Sequence, residues 1–291
     1  MALRSGDDNR GLYDPRFEHD ACGVGFIAHI KGRKSHRLVE MGLQILHNLE
    51  HRGASGCDPE TGDGAGILIQ IPDTFLRRET ANLGIELPEP DAYGVGMTFL
   101  PQDKKSREIC EDIVESVTRR EGQIFLGWRT VPTDNSKIGY QARAAEPCVR
   151  QFFIGKSPLT PDLDAFQRKL YVIRKQIEND VAHATGIPDI SHFYIPSLSA
   201  RTIIYKGLLL PGQMTAYYQD LTDPDFTSAI ALVHQRFSTN TFPSWPLAHP
   251  YRYIAHNGEI NTINGNRNWM RAREASLTSN LLGDDLPKLY P

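Results

Sequence analysis

Residues 18–30 read EHDACGVGFIAHI and place a cysteine at the front of an apolar run. The small residue Ala21 precedes Cys22, and a glycine follows it. From Cys22 to Ile30 the apolar residues occupy both alternating faces, which predicts a strand that is buried on both sides. Two interpretations of the thiol are open here. It is either a core cysteine that enters a strand, or a cysteine that becomes the first residue of the mature protein.

The composition is that of an ordinary globular protein and argues against several classes of function. The 291 residues suit one large domain or two small ones, and 40% are hydrophobic and 23% charged. A net charge of −3 gives no electrostatic case for nucleic acid or an acidic membrane surface as a partner. No apolar run approaches the roughly 18 residues of a membrane helix. Residues 1–21 also lack the apolar stretch of a secretory signal.

The cysteines indicate a reducing compartment. They stand at positions 22, 57, 110 and 148 and have no CxxC spacing. We therefore expect neither a zinc site nor a disulfide framework, and the cytoplasm is the expected location.

The order of the predicted elements favours an α+β sandwich with largely antiparallel sheets. Strands are predicted in neighbouring pairs with helices between them, rather than in regular alternation with helices. SAIALVHQRF (228–237) and YRYIAHNGE (251–259) have the pattern of core strands that end in polar residues. The tail NRNWMRAREASLTSNLL (266–282) is predicted to be helical. No terminating element is recognisable after it, which favours a piece of a longer protein.

The glycine-rich stretch TGDGAG (61–66) is not expected to bind phosphate. A dinucleotide-binding loop needs a strand before it and a helix after it, so that the helix N-terminus meets the phosphate. Here a helix is predicted before the loop and a strand, ILIQIP, after it. The stretch is therefore interpreted as a tight turn with close backbone packing.

Polar residues gather after the predicted strands of the stretch 234–266. His29, His234 and His256 lie on or near strands and are interpreted as hydrogen-bonded core or rim residues, although a Cys22–His256 catalytic pair stays open. Arg236 leaves an apolar strand, where its planar guanidinium suits a carboxylate. Asn257 and Gly258 suit an oxyanion hole, and an ordinary Asn-Gly turn is an equal alternative on spacing alone.

Several of these stretches together resemble one family. They are CGVGFIAHI, HRGASGCDPETGDGAG, HQRFSTNTFPSWPLAHPYRYIAHNGEINTINGN and NWMRARE, in this order. They closely resemble the N-terminal class II glutamine amidotransferase domain of glutamate synthase large subunits, over residues 14–291. The resemblance implies an N-terminal-nucleophile hydrolase fold, a four-layer αββα sandwich of two largely antiparallel sheets. It also implies a leader over residues 1–21 and an amidotransferase domain over 22–291 that is incomplete at its C-terminus.

The resemblance implies a role for five residues. Cys22 matches the family's nucleophile, exposed when the leader is removed, so that its own α-amine serves as the base. Asn257 and Gly258 match the oxyanion pair. Arg236 matches the arginine that binds the α-carboxylate of glutamine. Arg52 matches an arginine near the nucleophile, and capping of a helix end is an alternative role for it.

One family residue has no match here. The aspartate that holds the glutamine α-amino group in the family lies further along the chain, and neither Asp284 nor Asp285 has the right sequence context.

The implied function is the glutaminase half of glutamate synthase. Hydrolysis of L-glutamine through a Cys22 thioester would give glutamate and ammonia. The ammonia would serve reductive amination of 2-oxoglutarate in downstream synthase domains. Those domains would hold FMN and an iron–sulfur cluster, and they would receive electrons from an electron-donating subunit or ferredoxin. No cofactor is expected in the present segment. The location would be cytoplasmic, or plastid in a photosynthetic eukaryote. The alternatives are another N-terminal-nucleophile amidotransferase or amide hydrolase, and a catalytically silent module that binds a partner.

Overall fold

The computed structural model describes residues 23–55, 57–236, 241–256 and 262–290. The helices and strands of these residues follow in chain order: β1 (Val24–Ala28), α1 (His36–Asn48), β2 (Ala65–Gln70), α2 (Asp73–Ala81), β3 (Tyr93–Leu100), α3 (Lys104–Arg120), β4 (Ile124–Thr130), α4 (Tyr140–Ala144), β5 (Cys148–Gly155), α5 (Leu163–Ala182), β6 (Tyr194–Ser199), β7 (Thr202–Gly207), α6 (Met214–Tyr217), β8 (Ile230–Gln235) and α7 (Ile263–Glu274).

The strands form two antiparallel sheets of four strands each. The first has the order β1-β8-β2-β7 and the second β4-β5-β3-β6. The predicted α+β sandwich of two antiparallel sheets is therefore confirmed. In the first sheet, sequence-distant strands become neighbours, and β8 lies between β1 and β2.

Two apolar clusters hold the helices and sheets together. The larger cluster joins α1 and both sheets, with Ile67, Val95 and Val233 among its fully buried members. The second cluster lies between the second sheet and the helices α3 and α5. At about 0.8 kcal/mol for each buried methylene group, these clusters supply most of the favourable free energy of folding.

Local sequence signals determine where the three long helices begin. The side chain of Ser35 accepts a hydrogen bond from Leu38 N at the start of α1. At the start of α3 the Asp103 carboxylate accepts a hydrogen bond from Ser106 N at 2.8 Å. At the start of α5 the Asp162 carboxylate accepts one from Ala165 N at 2.7 Å. Such caps satisfy backbone N–H groups that have no partner within the helix. The short helix α2 was not predicted from the sequence.

The structure corrects three predictions about single elements. β1 is an edge strand and is not buried on both sides, because Phe26 is 70% exposed and Ile30 lies fully in solvent. Residues 251–256 form no strand, because no sheet neighbour lies beside them. The tail helix ends at Glu274, and none of its side chains is buried.

Within the ranges given above, no helix is long and apolar enough to cross a bilayer.

Candidate active site

The end of β8 brings together three of the sequence motifs. Gln235 N donates to the carbonyl of Gly23, the residue directly after Cys22, at 2.7 Å. Arg236 N donates to the carbonyl of Gly64, in the glycine-rich stretch, at 2.8 Å. The antiparallel registers of β8 with β1 and β2 produce both contacts. Arg236 therefore directly follows a residue that is hydrogen-bonded to Gly23.

The side chain of Arg236 is partly buried at this strand end. Its NH2 group donates to the hydroxyl of Thr241 at 2.8 Å. A guanidinium that is half withdrawn from water binds a carboxylate more strongly than a fully exposed one, because the local dielectric constant is lower. The role of Arg236 in binding a carboxylate stays a prediction.

Arg52 reaches the same region through its neighbour. It ends a short 3-10 turn, Glu50–Arg52, that follows α1. The next residue, Gly53, packs so closely on β8 that a Cβ atom there would overlap the Gln235 side chain. The helix predicted to stop near Gly53 ends earlier, at Asn48, and the 3-10 turn Glu50–Arg52 continues the chain to Gly53.

The glycine-rich stretch packs as a close turn. A Cβ atom at Gly64, where φ is +135°, would lie 2.9 Å from Ala248 Cβ. One at Gly66 would overlap the carbonyl oxygen of His249. Strand β2 begins inside the stretch, so the element that follows it is a strand and not the helix that a phosphate-binding loop needs. The interpretation as a tight turn with close backbone packing is confirmed.

Asp58 fixes the loop that leads into this turn. Its carboxylate accepts hydrogen bonds from the Thr61 hydroxyl at 2.7 Å and from Gln141 N at 3.1 Å. The Thr61 hydrogen bond, supported by backbone N–H groups, lowers the pKa of Asp58 below its usual value. An ionised Asp58 therefore anchors the turn.

Three histidines lie beside Arg236. The His234 ring is buried, and its Nε2 donates to the carbonyl of His256 at 3.0 Å. His249 stacks on His234 with ring centroids 4.5 Å apart and meets His256 edge-on at 5.0 Å. Burial, followed by the neighbouring histidines, Lys206 and Arg236, lowers the pKa of His249 to about 3. A neutral His249 is therefore the form present at physiological pH.

The remaining predicted site residues have different outcomes. Cys22, Asn257 and Gly258 lie outside the described residues, so their roles stay predictions. His256, which directly precedes Asn257 in the chain, is held at the end of β8. His29 lies beyond the opposite end of β1, where its Nδ1 accepts a hydrogen bond from Lys31 N.

Sequence reasoning missed two buried residues of this region, His249 and Lys206. His249 stands two residues before YRYIAHNGE, the stretch interpreted as a strand, and carries no signal of its own in the sequence. Lys206 stands in an apolar strand, and a lysine there is itself an unusual signal, since lysine is almost never fully buried.

The described residues contain no metal centre. In ranges 23–55, 57–236, 241–256 and 262–290, no group of three or more His, Cys, Asp or Glu side chains is arranged to hold a metal ion. Burial raises the pKa of the Cys110 thiol to about 12 and that of Cys148 above its usual value. Cys57, in contrast, is exposed.

Comparison with known proteins identifies the family. The family model of the class II glutamine amidotransferases matches residues 22–291. With its two antiparallel sheets and these motifs at the end of β8, the chain belongs to the class II glutamine amidotransferases.

Similar proteins are glutamate synthases. The chain is 55% identical over 282 residues to the glutamate synthase (NADPH) large chain of Bacillus subtilis. It is 44% identical over 294 residues to glutamate synthase (NADH) of Saccharomyces cerevisiae, and 42% identical over 274 residues to ferredoxin-dependent glutamate synthase of Pyropia yezoensis. These matches cover 97%, 98% and 94% of this chain but only 18%, 13% and 18% of the relatives. The chain thus spans less than a fifth of the length of each.

Proposed function

We propose that this chain hydrolyses L-glutamine to glutamate and ammonia, with Cys22 as the nucleophile. One observation carries the proposal. The chain neighbours of the predicted site residues meet at the end of β8, where Gln235 N contacts Gly23 O at 2.7 Å and His234 Nε2 contacts His256 O at 3.0 Å. Gly23 follows Cys22, His256 precedes Asn257, and Arg236 follows Gln235.

Cys22 acts as an N-terminal residue in this proposal. A free cysteine thiol has a pKa of about 8.5 and an α-amino group one of about 7.7–8.0, so the amine can accept the thiol proton without a histidine. The thiolate attacks the side-chain carbonyl of glutamine, and the C–N bond then breaks. The amine returns a proton to the leaving nitrogen, which departs as ammonia. Water hydrolyses the thioester, releasing glutamate and restoring the thiol.

Asn257 and Gly258 would stabilise the oxyanion of this reaction. The Asn257 amide and the Gly258 backbone N–H are donors of the kind that contribute about 3–4 kcal/mol each to lowering such a barrier. The proposal is supported by His256, the residue before Asn257, whose carbonyl accepts a hydrogen bond from His234 at the end of β8.

Arg236 would bind the α-carboxylate of the substrate. Its backbone is fixed by Gly64 and its guanidinium by Thr241, so the planar group is already oriented when glutamine arrives. Arg52 would stand close to Cys22, because Gly53 packs on Gln235.

The role of the full protein is proposed from the relatives. Ammonia from this site would serve reductive amination of 2-oxoglutarate in synthase domains further along the chain. FMN and an iron–sulfur cluster would be held there, and electrons would come from an NAD(P)H-oxidising subunit or domain, or from ferredoxin. Residues 1–21 would be a leader, which is supported by a family match that begins at residue 22. The reducing cytoplasm, or a plastid, suits a catalytic thiolate.

The nucleophile is tested by two matched serine variants. We expect Cys22→Ser to abolish ammonia release from glutamine while the circular dichroism spectrum stays unchanged. Cys57→Ser changes an exposed thiol and should retain full activity. Equal ammonia release by Cys22→Ser and the unmodified protein would contradict the proposal.

A further inference from the structure

Lys206 is a fully buried lysine in the middle of the molecule. It lies on β7 with 0% of its surface exposed. Its Nζ donates to the carbonyl of Ala248 at 2.7 Å and to that of Pro246 at 2.9 Å. The rings of Tyr194 and Tyr251 cover it from two sides, each with its centroid 4.6 Å away.

These contacts all involve protein groups that carry no negative charge. Among the described residues, no carboxylate forms an ion pair with Lys206, and burial lowers the pKa of its amine well below the usual value, with Arg174 and Arg236 acting in the same direction. Burying such a group is costly unless its donors are used. Here two of its donors bind the backbone of residues 245–256, which we term the docked segment.

Three adjacent strands form the surface under the docked segment. Gly66 on β2 is paired with Lys206 on β7 and with His234 on β8. A Cβ atom at Gly66 would lie 2.6 Å from Lys206 Cβ and would overlap the carbonyl of His249. The missing side chain at Gly66 therefore lets the docked segment lie directly on the sheet, between a lysine and a histidine that both hydrogen-bond its carbonyls.

The docked segment connects this surface to the candidate active site. Lys206 binds it at Pro246 and Ala248, and His234 binds its last residue, His256. The Tyr251 ring contacts both Lys206 and His249, with the His249 ring centroid 4.2 Å away. His249 in turn contacts the rings of His234 and His256 and so connects this end of the segment to the other.

We propose that Lys206 is a positioning residue that fixes the docked segment on Gly66 and His234, and thereby sets the position of the residues that follow His256. The structural part of this inference stands without any assumption about the reaction. Its catalytic consequence rests on the proposed glutaminase function.

The first experiment compares two neighbouring substitutions on β7. Lys206→Met keeps the volume of the side chain and removes its donors. Tyr205→Phe, the matched control, removes a buried hydroxyl on the opposite face that binds Asp220 and Gln151. Amide hydrogen exchange is followed in the full protein as it is expressed. We expect exchange in the docked segment, whose protected amides include Leu247 and Tyr251, to accelerate about tenfold or more in Lys206→Met. It should stay unchanged in Tyr205→Phe.

The second readout is steady-state glutamine hydrolysis by the same proteins. Because a displaced catalytic group lowers turnover, we expect Lys206→Met to reduce kcat by about tenfold to a hundredfold. KM for glutamine should change by less than about twofold, since Arg236 stays in place. A variant that is only less stable would show normal kcat at a temperature where it is folded.

A third variant covers the case in which Lys206→Met does not fold. Tyr251→Ala changes a residue on the docked segment itself and leaves the sheets intact, and it should give the same local increase in exchange. Unchanged exchange in the docked segment of a folded Lys206→Met or of Tyr251→Ala would overturn the inference. Increased exchange in a protein without any glutaminase activity would leave Lys206 as the anchor and refute the proposed function alone.

Discussion

The ion pair between Arg129 and Asp220 gives the sharpest prediction about stability. The two carboxylate oxygens of Asp220 accept from the guanidinium at 2.7 and 2.8 Å, and one also accepts from the Tyr205 hydroxyl at 2.7 Å. The side chains of Arg129 and Asp220 are only 4% and 3% exposed. Hydrogen bonding to Asp220 raises the pKa of Arg129 against the opposing effect of burial. The pair connects β4 of the second sheet with the 3-10 turn Gln219–Thr222, and the Tyr205 hydroxyl joins β7 of the first sheet to it.

We expect Asp220→Asn to lower the free energy of unfolding by about 3 kcal/mol. Asparagine has the same shape, but it removes the charge that compensates a buried guanidinium, and breaking such pairs costs about 3–5 kcal/mol. We expect the lower end of this range because a second carboxylate, that of Glu79, remains 3.3 Å from the Arg129 guanidinium and is itself only 28% exposed. Domains are stable by only about 5–15 kcal/mol, so this loss is easily measured.

Urea unfolding of the 291-residue chain, followed by circular dichroism, measures the effect. The control is Asp225→Asn, which breaks an ion pair with Arg78 whose members are 45% and 43% exposed, and it should cost less than about 1 kcal/mol. A cost for Asp220→Asn equal to that of the control would refute the reasoning. Glutaminase turnover of folded Asp220→Asn should be normal, because the ion pair does not contact the end of β8.

Three further predictions concern Arg236, His249 and the thiols. Arg236→Lys should raise KM for glutamine more than it lowers kcat, because a bidentate contact is lost; an unaltered KM in initial-rate kinetics would count against this role. His249 has a folded-state pKa of about 3, below its value of about 6.5 in unfolded chains, so it contributes stability above that unfolded value that is lost as the pH falls towards 3. His249→Phe should therefore flatten the pH dependence of the unfolding free energy by up to about 1.4 kcal/mol per pH unit, and an unchanged slope would show that His249 does not titrate in this way. Iodoacetamide at pH 8 should alkylate exposed Cys57 and leave buried Cys110 unmodified, as peptide mapping will show; equal modification of both would contradict the assigned burial.

Local patterns were sufficient to predict most helices and strands. The strands β2, β3 and β8 have apolar runs bounded by polar or glycine-rich residues, and α1, α3 and α5 have apolar residues at helical spacing. The strand predicted for YRYIA was wrong. Its aromatic residues alternate as in a strand, but Tyr251 covers the Lys206 amine instead of packing in a sheet. The prediction that β1 is buried on both sides was wrong, because an apolar run does not show whether a strand lies at the edge of a sheet. β1 does, and its Phe26 is exposed.

The arrangement of the candidate site depends on contacts that local patterns do not encode. Gly23 meets Gln235, and Gly66 meets both Lys206 and His234, across long stretches of chain. The site residues were predicted from the family resemblance. The spacing of the residues alone supported two interpretations of Asn257 and Gly258 equally, an oxyanion hole and an ordinary turn. The proposed role of Lys206 could not be predicted from the sequence, because the two carbonyls that accept its hydrogen bonds, those of Pro246 and Ala248, come close to it only in the folded chain.

The most direct test is to determine the N-terminal residue of protein whose glutamine hydrolysis has been measured, by Edman sequencing and intact mass. If Cys22 supplies both the nucleophilic sulfur and, through its α-amine, the proton acceptor, every active molecule must begin at Cys22. Full activity in molecules that retain any residue ahead of Cys22 would contradict the account, because the nitrogen of Cys22 would then be an amide and could not act as a base.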